Sequence, residues 1–179
     1  MDKNNFRKEI KELKRQFTRQ ELHELSFPVI ARLLRCQKLR DANTVLMYYS
    51  LPDEVDTRMA VDALILSNKR VLLPRVTGEG TMELRMYAGP SSITAGAFGI
   101  MEPTGDVFSD YDAIDVAVVP GMAFDSEGGR LGRGKGYYDR LLPKLCNAWK
   151  IGICFPFQLV DGLPVDKHDV RMDDVVTGE

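Results

Sequence analysis

The sequence predicts an α/β fold: a single domain, residues 1–179, whose mostly parallel central sheet is flanked by helices on both faces, with N-terminal helices docked on the sheet. Three observations carry that expectation. Short β-branched and apolar runs alternate with segments of helical period. A complete strand–helix–strand unit lies within Thr44 to Pro74. The most apolar run, Ile114 to Pro120, leads into a glycine-rich turn and then a second helix-compatible run.

Phe6, Ile10, Leu13 and Phe17 recur at helical spacing among Lys3, Arg7, Lys8, Lys11, Lys14 and Arg15, the pattern of an amphipathic helix. Thr18-Arg19-Gln20-Glu21 has the form of a capping box and starts a second helical segment. Pro28 either interrupts that segment or opens a new first turn after Ser26, and Ile30, Leu33 and Leu34 continue the period. Thr44 to Ser50 reads as a strand. A helix follows from about Arg58 to Ser67, with Asp56 or Thr57 as its cap. Arg70 to Pro74 is the next strand, so the crossover is right-handed and the two strands parallel. Thr81 to Tyr87 alternates apolar and polar residues, as a half-exposed strand does, with Gly78 and Gly80 turning the chain before it. Gly89 to Gly105 reads as a long loop. Pro143 should break the helix after the glycine turn near Leu142. Lys150 to Phe155 and Val175 to Thr177 read as the last short strands.

With 44% hydrophobic and 28% charged residues, the chain has the make-up of a folded soluble domain with a real core. A net charge of −2 argues against nucleic acid or an anionic membrane as partner, so small molecules are expected instead. Cys36, Cys146 and Cys154 are odd in number and widely spaced, which suggests buried free thiols rather than disulfides or zinc. The charged N-terminus lacks the apolar stretch of a signal peptide, and no run reaches membrane-spanning length, so a cytoplasmic protein is expected, as a monomer or weak dimer.

The chemistry concentrates in Phe124 to Leu142, F-D-S-E-G-G-R-L-G-R-G-K-G-Y-Y-D-R-L-L. Gly128, Gly129, Gly132, Gly134 and Gly136 allow close approach of backbone to an anion. Arg130, Arg133 and Lys135 add charge, and the following helix adds its positive end. A polyphosphate is the expected ligand; a flexible surface hairpin is the plainer alternative. Gly129 to Gly136 nearly matches the P-loop pattern but places Gly136 where a hydroxyl holds magnesium, so a P-loop fold is not expected. Asp139, with a tail acid such as Asp173, is the substitute expected for that oxygen. One of Tyr137 and Tyr138 is expected in the core and the other against a flat ligand. Glu54 and Asp56 lie beyond the carboxyl end of a predicted strand, where open α/β sheets place ligand contacts. Lys3 and Arg7, one turn apart, form a solvated rim or reach one phosphate. His23 and His168 carry no assigned role.

Taken together, these segments resemble the 5-formyltetrahydrofolate cyclo-ligase family. The resemblance runs over essentially the whole chain and is most specific in P-G-M-A-F-D-S-E-G-G-R-L-G-R-G-K-G-Y-Y-D-R, Pro120 to Arg140. Lys3-x-x-x-Arg7, Tyr48 to Thr57, Gly99 to Pro103 and Gln158 to Asp173 support it in order. The resemblance implies an ATP- and Mg²⁺-dependent ring closure of 5-formyltetrahydrofolate to 5,10-methenyltetrahydrofolate. The formyl oxygen would be phosphorylated, N10 would attack, and ADP and phosphate would leave. It further implies that Lys3, Arg7, Arg130, Leu131, Gly132, Arg133, Gly134, Lys135, Gly136, Tyr137 and Tyr138 contact ATP. Leu51, Glu54, Asp56 and Glu102, with Arg133 to Tyr137, would border the folate. Asp139 and Asp173 would bind magnesium, and Arg133 and Lys135 would serve the phosphoryl transfer. A sugar-phosphate isomerase on a related sheet, or a non-catalytic nucleotide- or RNA-binding module, are the competing readings.

Overall fold

Because the central strands are short and buried on both sides, each is defined by which neighbour it pairs with. A computed structural model describes residues 2–178, Phe98 by its backbone alone. The chain opens with α1 (Lys3–Arg15), α2 (Arg19–Arg35) and α3 (Gln37–Asp41), followed by β1 (Thr44–Leu46), α4 (Arg58–Leu66), β2 (Arg70–Gly78) and β3 (Thr81–Tyr87). Then come β4 (Ile93–Ala95), β5 (Met101–Pro103), β6 (Val107–Phe108), β7 (Val116–Val119), β8 (Ala123–Phe124) and β9 (Arg130–Leu131). The chain closes with α5 (Tyr137–Leu141), β10 (Trp149–Ile153) and β11 (Asp174–Val176).

Seven strands form the main sheet in the order β11-β10-β7-β1-β2-β3-β6. The first five are parallel, while β3 and β6 are antiparallel additions at one edge. Alternate residues divide between two cores, the signature of a sheet covered on both faces. Val45, Val71, Val116 and Val118 pack with Leu33, Val61 and Leu64 of the helices α2 and α4. Leu46, Leu72, Ala117 and Val119 pack on the other face with Phe124, Leu141 and Leu145. A third, smaller cluster joins Ile10 of α1 to Met122, Ala123 and Leu131, so α1 reaches the sheet through the β8–β9 hairpin while α2 docks on it directly.

Several local expectations hold and others need correction. The capping box at α2 is complete: Glu21 N donates to Thr18 Oγ1 at 3.1 Å, and Thr18 N to Glu21 Oε2 at 2.6 Å. Pro28 neither breaks α2 nor opens a new helix. Burial of Leu22, Val29 and Leu33 on either side of it outweighs an interior proline's cost of about 3 kcal/mol. Thr57 stands at the N-cap of α4 without a capping bond, because its hydroxyl serves Tyr48 O; Asp56 supplies the contact instead, accepting from Arg58 N at 3.1 Å. Gly89 to Gly105 is not one open loop: β4 and β5 pair within it. Three-residue strands show too few alternations to be read from sequence. Of the three cysteines only Cys154 is buried, which pushes its thiol up to about 12.

The largest correction concerns the glycine-rich stretch. It is not a strand–turn–helix unit. After β7 the chain first makes the β8–β9 hairpin, and Gly128 and Gly129 belong to that hairpin's turn. Gly129 N donates to Asp125 Oδ1 at 2.7 Å, so it is not free for a ligand. Only Gly132, Gly134 and Gly136 lie beyond the hairpin. The helix after them has five residues, too short for a strong dipole at its N-terminus. The hairpin is pinned to the sheet by close approach: a Cβ on Gly152 of β10 would lie 2.4 Å from Phe124 Cε1.

Candidate active site at the carboxyl edge of the sheet

Strand order reverses at β1. From β1 the chain moves outward through β2 and β3, then returns to β7 on the other side of β1 and continues to β10 and β11. The crevice beyond the carboxyl ends of β1 and β7 is where an open sheet leaves room for a ligand. Residues 47–57 follow β1 and residues 120–136 follow β7, so the two loops face each other there. Gly134 and Gly136 adopt φ of +93° and +73°, a left-handed backbone that glycine tolerates and other residues resist.

Arg133 crosses from the second loop to the first. Its Nη2 donates to Asp53 Oδ1 at 2.7 Å and to Glu54 Oε1 at 3.1 Å. Burial by itself would lower the arginine's pKa, but the bond to Asp53 and the charge of Glu54 outweigh it and raise it. On the far side of Asp53, Lys14 Nζ lies 3.2 Å from Oδ2. The Lys14 side chain is only 6% exposed, and burial lowers its pKa against the partial opposition of Asp53. Asp53 feels burial as an upward push, yet the bonds from Arg133 and Lys14 hold its carboxyl below the ordinary value. One chain of charges thus ties α1 to both loops.

Beside Arg133 opens a pocket of about 250 Å³. Tyr48, Tyr49 and Leu51 come to it from the first loop, and Pro74, Val76 and Met82 from the antiparallel pair β2–β3. Tyr137 and Tyr138 form another wall, with Ile100 and Met101 from the β4–β5 hairpin. Arg130 braces this wall from behind: Nε donates to Pro120 O at 2.8 Å, Nη1 meets Asp139 Oδ1 at 3.2 Å, and the guanidinium lies 5.1 Å from the Tyr138 ring centroid. Burial lowers its pKa, with Asp139 opposing. Burial also raises the Tyr138 phenol, which stays neutral. Lys135 differs from both arginines. It is exposed at the pocket, and its side chain has no partner among the described residues.

Ten of the residues singled out from sequence line this one pocket: Leu51, Glu54, Arg130, Gly132, Arg133, Lys135, Gly136, Tyr137, Tyr138 and Asp139. The others lie elsewhere. Arg7 lines an adjoining cleft and donates Nε to Gly132 O at 2.9 Å, bringing α1 against the glycine turn near Gly134. Lys3 does not share a phosphate-facing position with it, because its Nζ is held by Asp166 at 2.7 Å and Asp169 at 2.6 Å. Leu131 is buried in the α1 cluster. Asp56 sits in a separate polar recess, 3.0 Å from His23 Nδ1 and 3.4 Å from Ser50 Oγ. Glu102 lies 3.7 Å from Arg75 and close under Gly96, outside the pocket lining.

Asp173 does not join Asp139. Its Oδ2 accepts from Lys150 N at 2.7 Å, and Lys150 is level with Ala117, in the lower half of β7. That carboxylate caps a sheet edge instead of facing the pocket. Among the described residues no three His, Cys, Asp or Glu side chains converge as a metal site. Sequence reasoning missed Asp53 and Lys14. The adjacency of Asp53 to Glu54, and the i, i+7 spacing of Lys14 from Arg7, were the available signals. The apolar wall from β2–β3 and β4–β5 had no such signal, since only tertiary folding brings it over the loops.

A mostly parallel α/β sheet that carries an aromatic pocket with a cationic mouth at its switch point is the build of an enzyme for a flat, anionic small molecule. Residues 1–178 match the model of the 5-formyltetrahydrofolate cyclo-ligase family. The 5-formyltetrahydrofolate cyclo-ligase of Haemophilus influenzae is 30% identical over 179 residues, covering 96% of this chain and 95% of that one. The solved 5,10-methenyltetrahydrofolate synthetase of Aquifex aeolicus superposes with a TM-score of 0.83 at 35% identity, covering 100% of this chain and 91% of that one. The corresponding synthetase of Mycoplasma pneumoniae gives 0.81 at 26% identity, with both chains fully covered. The chain belongs to the 5-formyltetrahydrofolate cyclo-ligase family and is an enzyme of the ligase class.

Proposed function

We infer that this protein cyclises 5-formyltetrahydrofolate to 5,10-methenyltetrahydrofolate, consuming ATP and releasing ADP and phosphate. The observation that carries the reading is the pairing of an aromatic, apolar pocket with Lys135 beside it, whose side chain has no partner among the described residues, in a chain of this family. A pterin ring is flat and suits the tyrosine walls. The formyl oxygen attacks the γ-phosphorus as the bond to ADP breaks. N10 then forms the new C–N bond, the C–O bond breaks, phosphate departs with that oxygen, and N10 loses its proton. The formyl oxygen is a poor leaving group until it is phosphorylated, which is why ATP is needed.

In this reading Lys135, whose side chain has no partner among the described residues, stabilises the transferring phosphoryl group. Arg133, with Glu54 and Asp53 fixing its plane, stands between the two substrates. Gly132, Gly134 and Gly136 let backbone approach the phosphates, with Arg7 behind them. Leu51 and Glu54 border the folate; Asp56 acts from its recess behind that loop. Among the described residues no three carboxylate, His or Cys side chains converge as a cage, so magnesium would enter with the phosphates, and the half-exposed Asp139 would be its protein contact. It would offset charge on the phosphate oxygens.

The test is the near-ultraviolet absorbance of methenyltetrahydrofolate when 5-formyltetrahydrofolate, ATP and Mg²⁺ are supplied together. Product should form only with ATP; no product overturns the reading. Lys135→Ala should lower kcat by about 10²- to 10³-fold, as expected for loss of one group that stabilises transition-state charge, with the melting temperature unchanged.

A further inference from the structure

Gln158 lines neither the aromatic pocket nor the adjoining cleft that Arg7 faces, yet its side chain holds the ridge between them. It sits in a single 3₁₀ turn, Pro156–Gln158, beyond the carboxyl end of β10, and is 2% exposed. Both polar atoms of its amide are used. Oε1 accepts from Phe155 N at 3.0 Å, and Nε2 donates to Met122 O at 2.9 Å and to Gly121 O at 3.1 Å. One nitrogen reaches two successive carbonyls because the chain bends at Met122. The turn is itself held by Phe157, whose ring stacks on Phe155 and on Phe17, between α1 and α2, with centroids 5.4 and 5.0 Å away.

What Gln158 holds is the start of both walls. Pro120 and Gly121 line the aromatic pocket, and Met122 lines the adjoining cleft. Pro120 O accepts from Arg130 Nε at 2.8 Å, and Arg130 in turn backs the Tyr138 ring and meets Asp139. Met122 N donates to Leu131 O at 2.7 Å, directly before the glycine turn. The ridge is packed closely enough that residue 121 must be glycine: a Cβ there would lie 2.7 Å from Phe124 Cζ. An apolar side chain of similar size would fill the space beneath it but leave two buried carbonyls and an N–H unpaired. Glutamine fixes direction where leucine would fix only volume.

We propose that Gln158 is a positioning residue for the cyclisation. By orienting Gly121 and Met122 it sets the ridge between the two clefts, and through Pro120 O and Leu131 it fixes Arg130 and the start of the glycine turn. The proposal rests on the folate and ATP reading of the site. A displacement of about 1 Å near reacting atoms costs on the order of 100-fold in rate, so turnover should register loss of these bonds even where the fold survives.

Two variants separate orientation from stability. Gln158→Met keeps the length and removes all three bonds. Gln158→Glu keeps the acceptor for Phe155 N and exchanges the amide donors for a carboxyl, which donates one hydrogen bond when neutral and none when ionised. Calorimetric titration with 5-formyltetrahydrofolate gives the fraction of competent molecules as its stoichiometry, and turnover is expressed per competent site. Gln158→Met should lose about 10- to 100-fold in kcat at a stoichiometry near that of the wild type. The turnover of Gln158→Glu, divided by the wild type's at the same pH, should rise severalfold as pH falls from about 8.5 to about 6, because burial favours the neutral carboxyl. The same ratio for Gln158→Met should be flat.

Wild-type turnover per competent site in Gln158→Met, or a ratio for Gln158→Glu that ignores pH, overturns the proposal. So does a loss carried entirely by stoichiometry, which assigns Gln158 to stability alone. Should Gln158→Met not fold, Gln158→Glu at the acid end decides, because its neutral side chain keeps two of the three bonds; if that also fails to fold, the role is structural and the proposal falls. A wild type that forms no product fails the cyclisation reading and takes the proposal with it. A wild type that turns over, with variants equal to it, fails the proposal alone.

Discussion

Removing Asp53 and removing Lys14 break the same ion pair, yet they should not cost the same. Lys14 Nζ and Asp53 Oδ2 lie 3.2 Å apart, with the lysine side chain 6% exposed and the aspartate 41%. Asp53→Ala leaves a nearly buried ammonium with no counter-charge in contact and frees one arm of Arg133. A broken buried pair costs about 3–5 kcal/mol, and the exposure of Asp53 to water reduces that to about 1–3 kcal/mol. Lys14→Met removes the buried charge and keeps most of the packing volume. Asp53 then still holds Arg133 at 2.7 Å, so the expected change is within about 1 kcal/mol of zero. The double variant should be more stable than Asp53→Ala alone. Urea midpoints at constant m-value give all three numbers, and the cycle isolates the coupling. Equal destabilisation by the two single variants would refute the asymmetry, and with it the account of Lys14 as a charge that Asp53 makes tolerable.

Other consequences are simpler. Asp53 and Asp169 both have carboxyls held below their ordinary 3.8 by bonds that outweigh burial, from Arg133 and Lys14 in one case, from Asp166 N and Lys3 in the other. Each therefore adds stability that is complete above the unfolded value and lost as pH falls through the lower folded one; urea midpoints should decline below about pH 4, and a flat profile there would contradict it. Gly152→Ala drives a methyl into Phe124 at 2.4 Å, which should cost about 1–3 kcal/mol and lower Tm by several degrees; an unchanged Tm would show that the hairpin is not pinned there. Asp139→Asn should raise the magnesium concentration needed for half-maximal rate, whereas Asp173→Asn should lower stability by about 1 kcal/mol with the magnesium dependence untouched. The reverse pattern in a magnesium titration would restore Asp173 to the site.

Much of the fold was legible in sequence because its cues are local. The Thr18–Glu21 capping box, the Thr44 to Pro74 unit and the break at Pro143 each depend on residues a few positions apart, and each appears as expected. Pro28 misled because the penalty of a proline is local while the burial of Leu22, Val29 and Leu33 that outweighs it is not. The same division runs through the site. Residue type and order along Pro120 to Arg140 sufficed for the family and the cationic turn, but not for the tyrosine wall: one of Tyr137 and Tyr138 was expected in the core, and both line the pocket. Residue type and order could not separate Gly128 and Gly129, which turn a hairpin, from Gly132 and Gly136, which face the pocket, and Gly134, which lies against Arg7. Nor could they part Asp139 from Asp173, since 34 residues of chain say nothing about which end of a strand a side chain meets. Pairing, charge partners and the apolar wall from β2 to β5 exist only once distant segments close on each other, because a contact's energy depends on distance in space and not along the chain.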